Sequence, residues 1–215
     1  TERYGAKKES SKLLRFHAQV GGSTLTAQQP ENNIVRVAVQ SMAAVMGGTQ
    51  SLHTNGYDEA LSLPTERAAR IALRTQQIIG YESGIADTPD PLAGSYFVET
   101  LTDEIERLAW EYITRIDEMG GAVEAIEVGF QQDEIEQAAY DYTKSIDNDE
   151  RVIVGLNRFT VDNEPEFVIA PGDPSLEQGQ VANLTAYKAN RNHALVKARL
   201  AEVTEAARGT QNLLY

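Results

Sequence analysis

Short apolar runs alternate with long apolar stripes along the first eighty or so residues. Residues 13–20, Leu-Leu-Arg-Phe-His-Ala-Gln-Val, read as a strand. Gly21-Gly22-Ser23-Thr24 breaks it. Pro30-Glu31 then opens a helix over 31–46, with proline and an acid in the first turn. Ile34, Val35, Val37, Ala38, Met42, Ala43, Val45 and Met46 make that helix apolar around much of its surface, as for a helix packed between a sheet and its neighbours. Gly47-Gly48 ends it, and residues 49–53 form the next short strand. Pro64-Thr65-Glu66 starts a helix to residue 82 with an inner stripe of Ala68, Ile71, Ala72, Thr75, Ile78 and Ile79, and Gly84 stops it.

Beyond a loop at 85–95, Leu101, Ile105, Leu108, Tyr112, Ile116 and Met119 recur at helical spacing and predict a helix over 96–119, closed by Gly120-Gly121. Trp110, Tyr112, Tyr140 and Tyr142 read as packing residues. Further helices fit 122–128 and 131–147. The continuous apolar run 152–156 predicts a buried strand. The stretch 157–174 is irregular and acidic, and 175–207 reads as one long polar helix ended by Gly209.

The pattern is α/β. Two of the three strands are each followed by a helix, for which right-handed β-α-β winding is the expected connection. Three strands cannot close a TIM-type β/α barrel, which needs eight. The choice is a small open sheet or a partial barrel holding the last strands and helices, with extra C-terminal helices. The N-terminus lacks an initiator Met and reads as cut from something longer, which favours the partial barrel. The expected division is barrel part over 1–160, then linker and C-terminal helix over 161–215.

Composition narrows the function classes. With 19 basic against 32 acidic residues the net charge is −13, a surface that repels nucleic acid and anionic membranes. No apolar run approaches the ~18 residues of a membrane span, and the N-terminus has no signal-peptide order. A cytoplasmic location is the default. Zero cysteines exclude disulfides, thiolate metal sites and a cysteine nucleophile.

His17, Gln19, Gln50, His53, Asn55, Asp58 and Glu59 form a dense polar group near strand ends, where parallel α/β folds hold ligands. A metal-hydrolase reading would use His17, His53 and Glu59, but the spacing matches no zinc motif. The plainer reading of His53 is a histidine hydrogen-bonded near the core. Ser23, Thr24 and Ser51 lack a nucleophile elbow, and Ser51 is expected to be packed. There is no Gly-x-Gly-x-x-Gly or phosphate-loop pattern. Gly22 is a turn residue, or a point where backbone approaches a large planar ligand.

Arg15-Phe16-His17-Ala18-Gln19 followed by Gly48-Thr49-Gln50-Ser51-Leu52-His53-Thr54-Asn55-Gly56-Tyr57-Asp58-Glu59-Ala60 resembles the large subunits of adenosylcobalamin-dependent acyl-CoA mutases, the methylmalonyl-CoA mutase family. The resemblance continues through Asp90-Pro91-Leu92-Ala93-Gly94-Ser95-Tyr96, Glu118-Met119-Gly120-Gly121 and Val152-Ile153-Val154-Gly155-Leu156-Asn157-Arg158. It implies the later strands of a substrate-binding barrel and a radical carbon-skeleton rearrangement of an acyl-CoA thioester with adenosylcobalamin. By that resemblance His17 and Gln50 face the substrate. Gln19 lies at the substrate–cofactor junction, Asn55 and Glu59 hold the adenosyl ribose, and Gly22 and Ser62 pack on the corrin. Ser62 departs from the common alanine. Val20-Gly21-Gly22-Ser23-Thr24 departs from the Thr-Ser-Gly-Trp-Ser form typical of methylmalonyl-CoA mutases, which leaves the acyl group open. The family's cobalt-ligating Asp-x-His-x-x-Gly motif does not occur. The implied partners are therefore the N-terminal barrel half and a cobalamin-binding domain or small subunit, in an oligomer, with this chain inactive alone. The rival reading is a non-catalytic interaction or assembly module built on a barrel scaffold.

Overall fold

The computed structural model describes residues 3–163, 167 and 173–213 of the chain. Two strands, β1 (His17–Gln19) and β2 (Ser51–His53), pair in parallel with register His17↔Ser51, Ala18↔Leu52 and Gln19↔His53. The first strand is shorter than 13–20 because Leu13 and Leu14 stand exposed outside the ladder. Side chains alternate between the two faces of a strand. Leu52 accordingly packs with the buried Val20, Leu25 and Val37, whereas His17, Gln19, Ser51 and His53 line an exposed face.

Helix α1 (Asn32–Met46) connects the strands and covers the apolar face through Val37. Helix α2 (Glu66–Glu82) packs against α1 and buries Ala68, Ala72, Thr75 and Ile79, four members of its predicted stripe. The Thr65 hydroxyl caps α2 by accepting the Ala68 N–H at 3.2 Å. The adjacent parallel strands and their connecting helix are as the sequence predicts.

Helices α3 (Tyr96–Glu118), α4 (Ala122–Glu127) and α5 (Phe130–Asp147) follow. Gly120 and Gly121 take left-handed φ values of 105° and 118°, which ends α3 at the predicted place. The α3 stripe is not a core: Leu101, Ile105, Leu108 and Tyr112 are exposed, as are Trp110, Tyr140 and Tyr142, all expected to pack. Tyr112 donates instead to Glu134 at 2.7 Å, and the Arg115 guanidinium lies 4.6 Å from the Phe130 ring centre.

The expected strand at 152–156 is a turn. Gly155 has φ of 84° and donates its N–H to Arg158 O at 2.7 Å, and Val152, Val154 and Leu156 are exposed. The Asn157 side chain supplies the hydrogen bonds a ladder would give, accepting from Ile153 N–H and donating to the carbonyls of Ile146 and Arg151.

The chain divides into two compact units, Thr1–Ile169 and Ala170–Tyr215. The second contains α6 (Pro174–Asn190) and α7 (His193–Arg208) where one helix was predicted. Arg191 is extended, and Asn192 caps a new helix by accepting the Leu195 N–H at 3.0 Å. Among the described residues no helix is long and apolar enough to cross a membrane.

Candidate functional site

The polar group assembles where the chain leaves the two strands. Gln19, last in β1, donates from Nε2 to Asn55 Oδ1 at 3.2 Å. Asn55 is buried and donates its own amide to Val20 O at 3.3 Å. Gly22 lies beneath both Asn55 and Glu59. A Cβ built there would stand 3.0 Å from Asn55 Nδ2, 3.5 Å from Glu59 Cγ and 3.6 Å from Glu59 Oε1. Gln19, Gly22, Asn55 and Glu59 thus converge at the C-terminal end of the sheet.

Local hydrogen bonding explains why this geometry holds. Asn33, fully buried on α1, donates to Thr26 O and Tyr57 O, both at 2.8 Å, and accepts the Thr26 N–H at 3.1 Å. One side chain thereby ties α1 to both strand-end loops. Gln40 Oε1 accepts the Gly21 N–H at 2.5 Å and holds the turn before Gly22. Asp58, also fully buried, accepts the Thr65 N–H at 2.9 Å and anchors the loop carrying Glu59 to the start of α2. Its other oxygen presses on Gly56, where a Cβ would lie only 2.6 Å away, so any larger residue there would have to displace Asp58. Gln76 Nε2 donates to Leu52 O and Thr54 Oγ1, both at 3.0 Å, fixing β2 against α2.

The remaining candidates stand apart from that convergence. His17 shares the exposed face with Gln19, two residues earlier, and its Nδ1 lies 2.5 Å from Ser51 Oγ. Ser51 is therefore exposed and paired with a histidine, not packed. His53 is exposed too, not held near the core, and with Glu59 and Gln76 it lines a cleft of about 220 Å³. Gln50 sits at the opposite, N-terminal end of β2. Both ends of its amide are engaged there, with Phe16 N–H at 2.8 Å and Gly48 O at 2.6 Å. Ser62 follows in the Glu59 loop, half-buried, its hydroxyl donating to Leu63 O at 2.9 Å. Among the described residues no three His, Cys, Asp or Glu side chains gather to hold a metal ion.

Sequence reasoning missed Asn33, Gln40 and Gln76. Asn33 carried a usable signal, a polar residue early in a strongly apolar helix. Gln40 and Gln76 gave none, since a glutamine on a helix face is ordinary.

Two amides and one carboxylate thus meet over a bare glycine backbone, a group that holds both donors and acceptors. A parallel strand–helix–strand unit with polar side chains gathered at its strand ends is an α/β arrangement, a class that holds ligands at that end of the sheet. The family model for methylmalonyl-CoA mutase matches residues 1–215, and the chain belongs to that family. Methylmalonyl-CoA mutase of Escherichia coli (strain K12) is 46% identical over 212 residues, covering 98% of this chain and 30% of that protein. The 2-hydroxyisobutanoyl-CoA mutase large subunit of Aquincola tertiaricarbonis is 43% identical over 216 residues, 99% of this chain and 38% of that protein. Mitochondrial methylmalonyl-CoA mutase of Homo sapiens is 46% identical over 210 residues, 97% of this chain and 28% of that protein. The chain thus spans about a third of the length of these curated relatives.

Proposed function

We propose that this chain forms the last strands of the substrate-binding β/α barrel of an adenosylcobalamin-dependent acyl-CoA mutase. The observation that carries the reading is the convergence of Gln19, Asn55 and Glu59 over the bare backbone of Gly22. The donor set fits the coenzyme. Ribose hydroxyls both donate and accept; Glu59 offers them an exposed carboxylate, and the buried Asn55, held by Gln19 and Val20 O, supports it from beneath. Gly22, lacking a Cβ, lets Asn55 and Glu59 close over its backbone. When bound, the coenzyme supplies the radical chemistry of a carbon-skeleton rearrangement, while the protein supplies binding and orientation.

In this reading Glu59 and Asn55 hold the ribose, Gln19 braces Asn55, and Gly22 and Ser62 border the corrin. His17 faces the acyl-CoA from the exposed side of the sheet. Gln50, tied to Phe16 and Gly48, fixes the entry of the strands and acts on the thioester arm only through them. The barrel's other strands, the CoA channel and the cobalt ligand belong to other parts. The segment 161–215 leads towards a cobalamin-binding domain or subunit, in an oligomeric cytoplasmic enzyme. The chain alone is then inactive.

The test is reconstitution. The chain by itself should show no acyl-CoA mutase turnover, and adding the N-terminal barrel half and a cobalamin-binding partner should restore it. In the restored enzyme His17→Gln and Glu59→Ala should each lower turnover. Unchanged turnover in both would favour the rival, a barrel-derived assembly module that needs none of these side chains.

A further inference from the structure

The exposed face of the sheet places His17 and Ser51 directly opposite one another in the parallel register, with Nδ1 and Oγ 2.5 Å apart. We propose that Ser51 is a positioning residue that donates its hydroxyl proton to His17 Nδ1 and so keeps the ring proton on Nε2. The inference rests on the reading that His17 faces the acyl-CoA.

A neutral imidazole carries one N–H and one bare nitrogen, and the hydrogen bond made by one nitrogen sets the state of the other. The serine hydroxyl can play either part, so the pair alone allows two arrangements. The ligand decides between them. A thioester carbonyl has lone pairs and no proton, so a bare Nε2 would set acceptor against acceptor. Only the arrangement with Ser51 donating presents an N–H to that oxygen. The serine is itself held in place. Its residue lies in the ladder, and its carbonyl accepts the Thr49 hydroxyl at 2.7 Å. The next opposed pair on this face sets Gln19, an amide and not a hydroxyl, across from His53.

The pairing is tested separately from the chemistry. Nitrogen-15 spectra of the full chain, histidine-labelled, resolve its three histidines, and His17→Gln assigns the His17 signals. The expected result is an Nε2–H ring at His17 in the wild type, a mixture of tautomers in Ser51→Ala, and return of the single form in Ser51→Thr, which keeps a hydroxyl. An Nδ1–H ring in the wild type, or a Ser51→Ala spectrum identical to it, overturns the inference whatever the turnover. In the reconstituted enzyme Ser51→Ala should lower kcat/KM about three- to tenfold, the range for one net hydrogen bond, and Ser51→Thr should recover it. If the tautomer shifts as expected but His17→Gln leaves turnover intact, the placement of His17 against substrate is what fails, and the positioning role falls with it.

Discussion

Replacing Gly22 with alanine separates the fold from the site. The backbone at Gly22 lies outside the left-handed region, so alanine fits its conformation. Loss of glycine's freedom in the unfolded chain stabilises by about 0.4–1 kcal/mol. Against that, the new methyl would stand 3.0 Å from Asn55 Nδ2. Asn55 must retreat by a few tenths of an ångström, straining a bond to Val20 O that already measures 3.3 Å. A net hydrogen bond contributes about 0.5–1.5 kcal/mol, so the two effects offset and stability should change by less than about 1 kcal/mol. The ligand side has no such compensation. The methyl presses on the Asn55 and Glu59 side chains assigned to the ribose, and overpacking of this kind costs about 1–3 kcal/mol. Adenosylcobalamin affinity in the reconstituted enzyme should fall about five- to 150-fold. The assays are urea unfolding of the chain and coenzyme titration of the enzyme. Unchanged affinity with an intact fold would refute the placement of Gly22 against the coenzyme.

Asn33→Ala should destabilise by about 3 kcal/mol, because Thr26 and Tyr57 lose partners for buried backbone groups. Val37→Ala, which removes only packing, should cost about 2 kcal/mol, and the reverse order in urea unfolding would contradict the account of how the strand-end loops are held. The Asp173 cap of α6 should titrate in acid. The Ser175 side chain and backbone N–H hold its carboxyl below the usual aspartate value of about 3.9. Because the folded value is the lower one, the cap's stabilisation is complete above the unfolded value and is lost as pH falls through the folded one. Amide exchange in the first turn of α6 should therefore rise, after correction for its intrinsic pH dependence, only on acidification below the ordinary aspartate range. In Asp173→Asn that acid dependence should vanish, and its persistence would assign the titration to another group.

The first half of the chain was legible because its signals are local. Glycine pairs, helix-opening prolines and apolar stripes placed β1, α1, β2 and α2 to within a few residues. The misreadings came where a side chain did work that composition hides. The run 152–156 has a strand's apolar character, yet Asn157 and Gly155 turn it. A polar helix over 175–207 was broken by one capping asparagine at 192. Periodicity found α3 correctly, but it reports a face and not what lies against it, and Leu101 and Ile105 remain exposed. The candidate site was half legible. Motif resemblance pointed to Gln19, Asn55 and Glu59, while the bonds by which the buried Asn33 ties together the loops beneath them are seen only in three dimensions, its polar place in an apolar helix being the one sign of it in the sequence. Gln50 shows the converse. A motif position does not fix which end of a strand a side chain serves.

The central claim is that Glu59 holds the ribose of the coenzyme's adenosyl group. It is tested most directly by comparing two cobalamins in the reconstituted enzyme, one carrying the adenosyl group and one carrying a methyl group in its place. Glu59→Gln should weaken binding of adenosylcobalamin by about 1.5–3 kcal/mol, the contribution of a hydrogen bond to a charged group. Methylcobalamin, which offers no ribose at that position, should bind the variant and the wild type equally. Equal weakening of both, or of neither, would contradict the assignment.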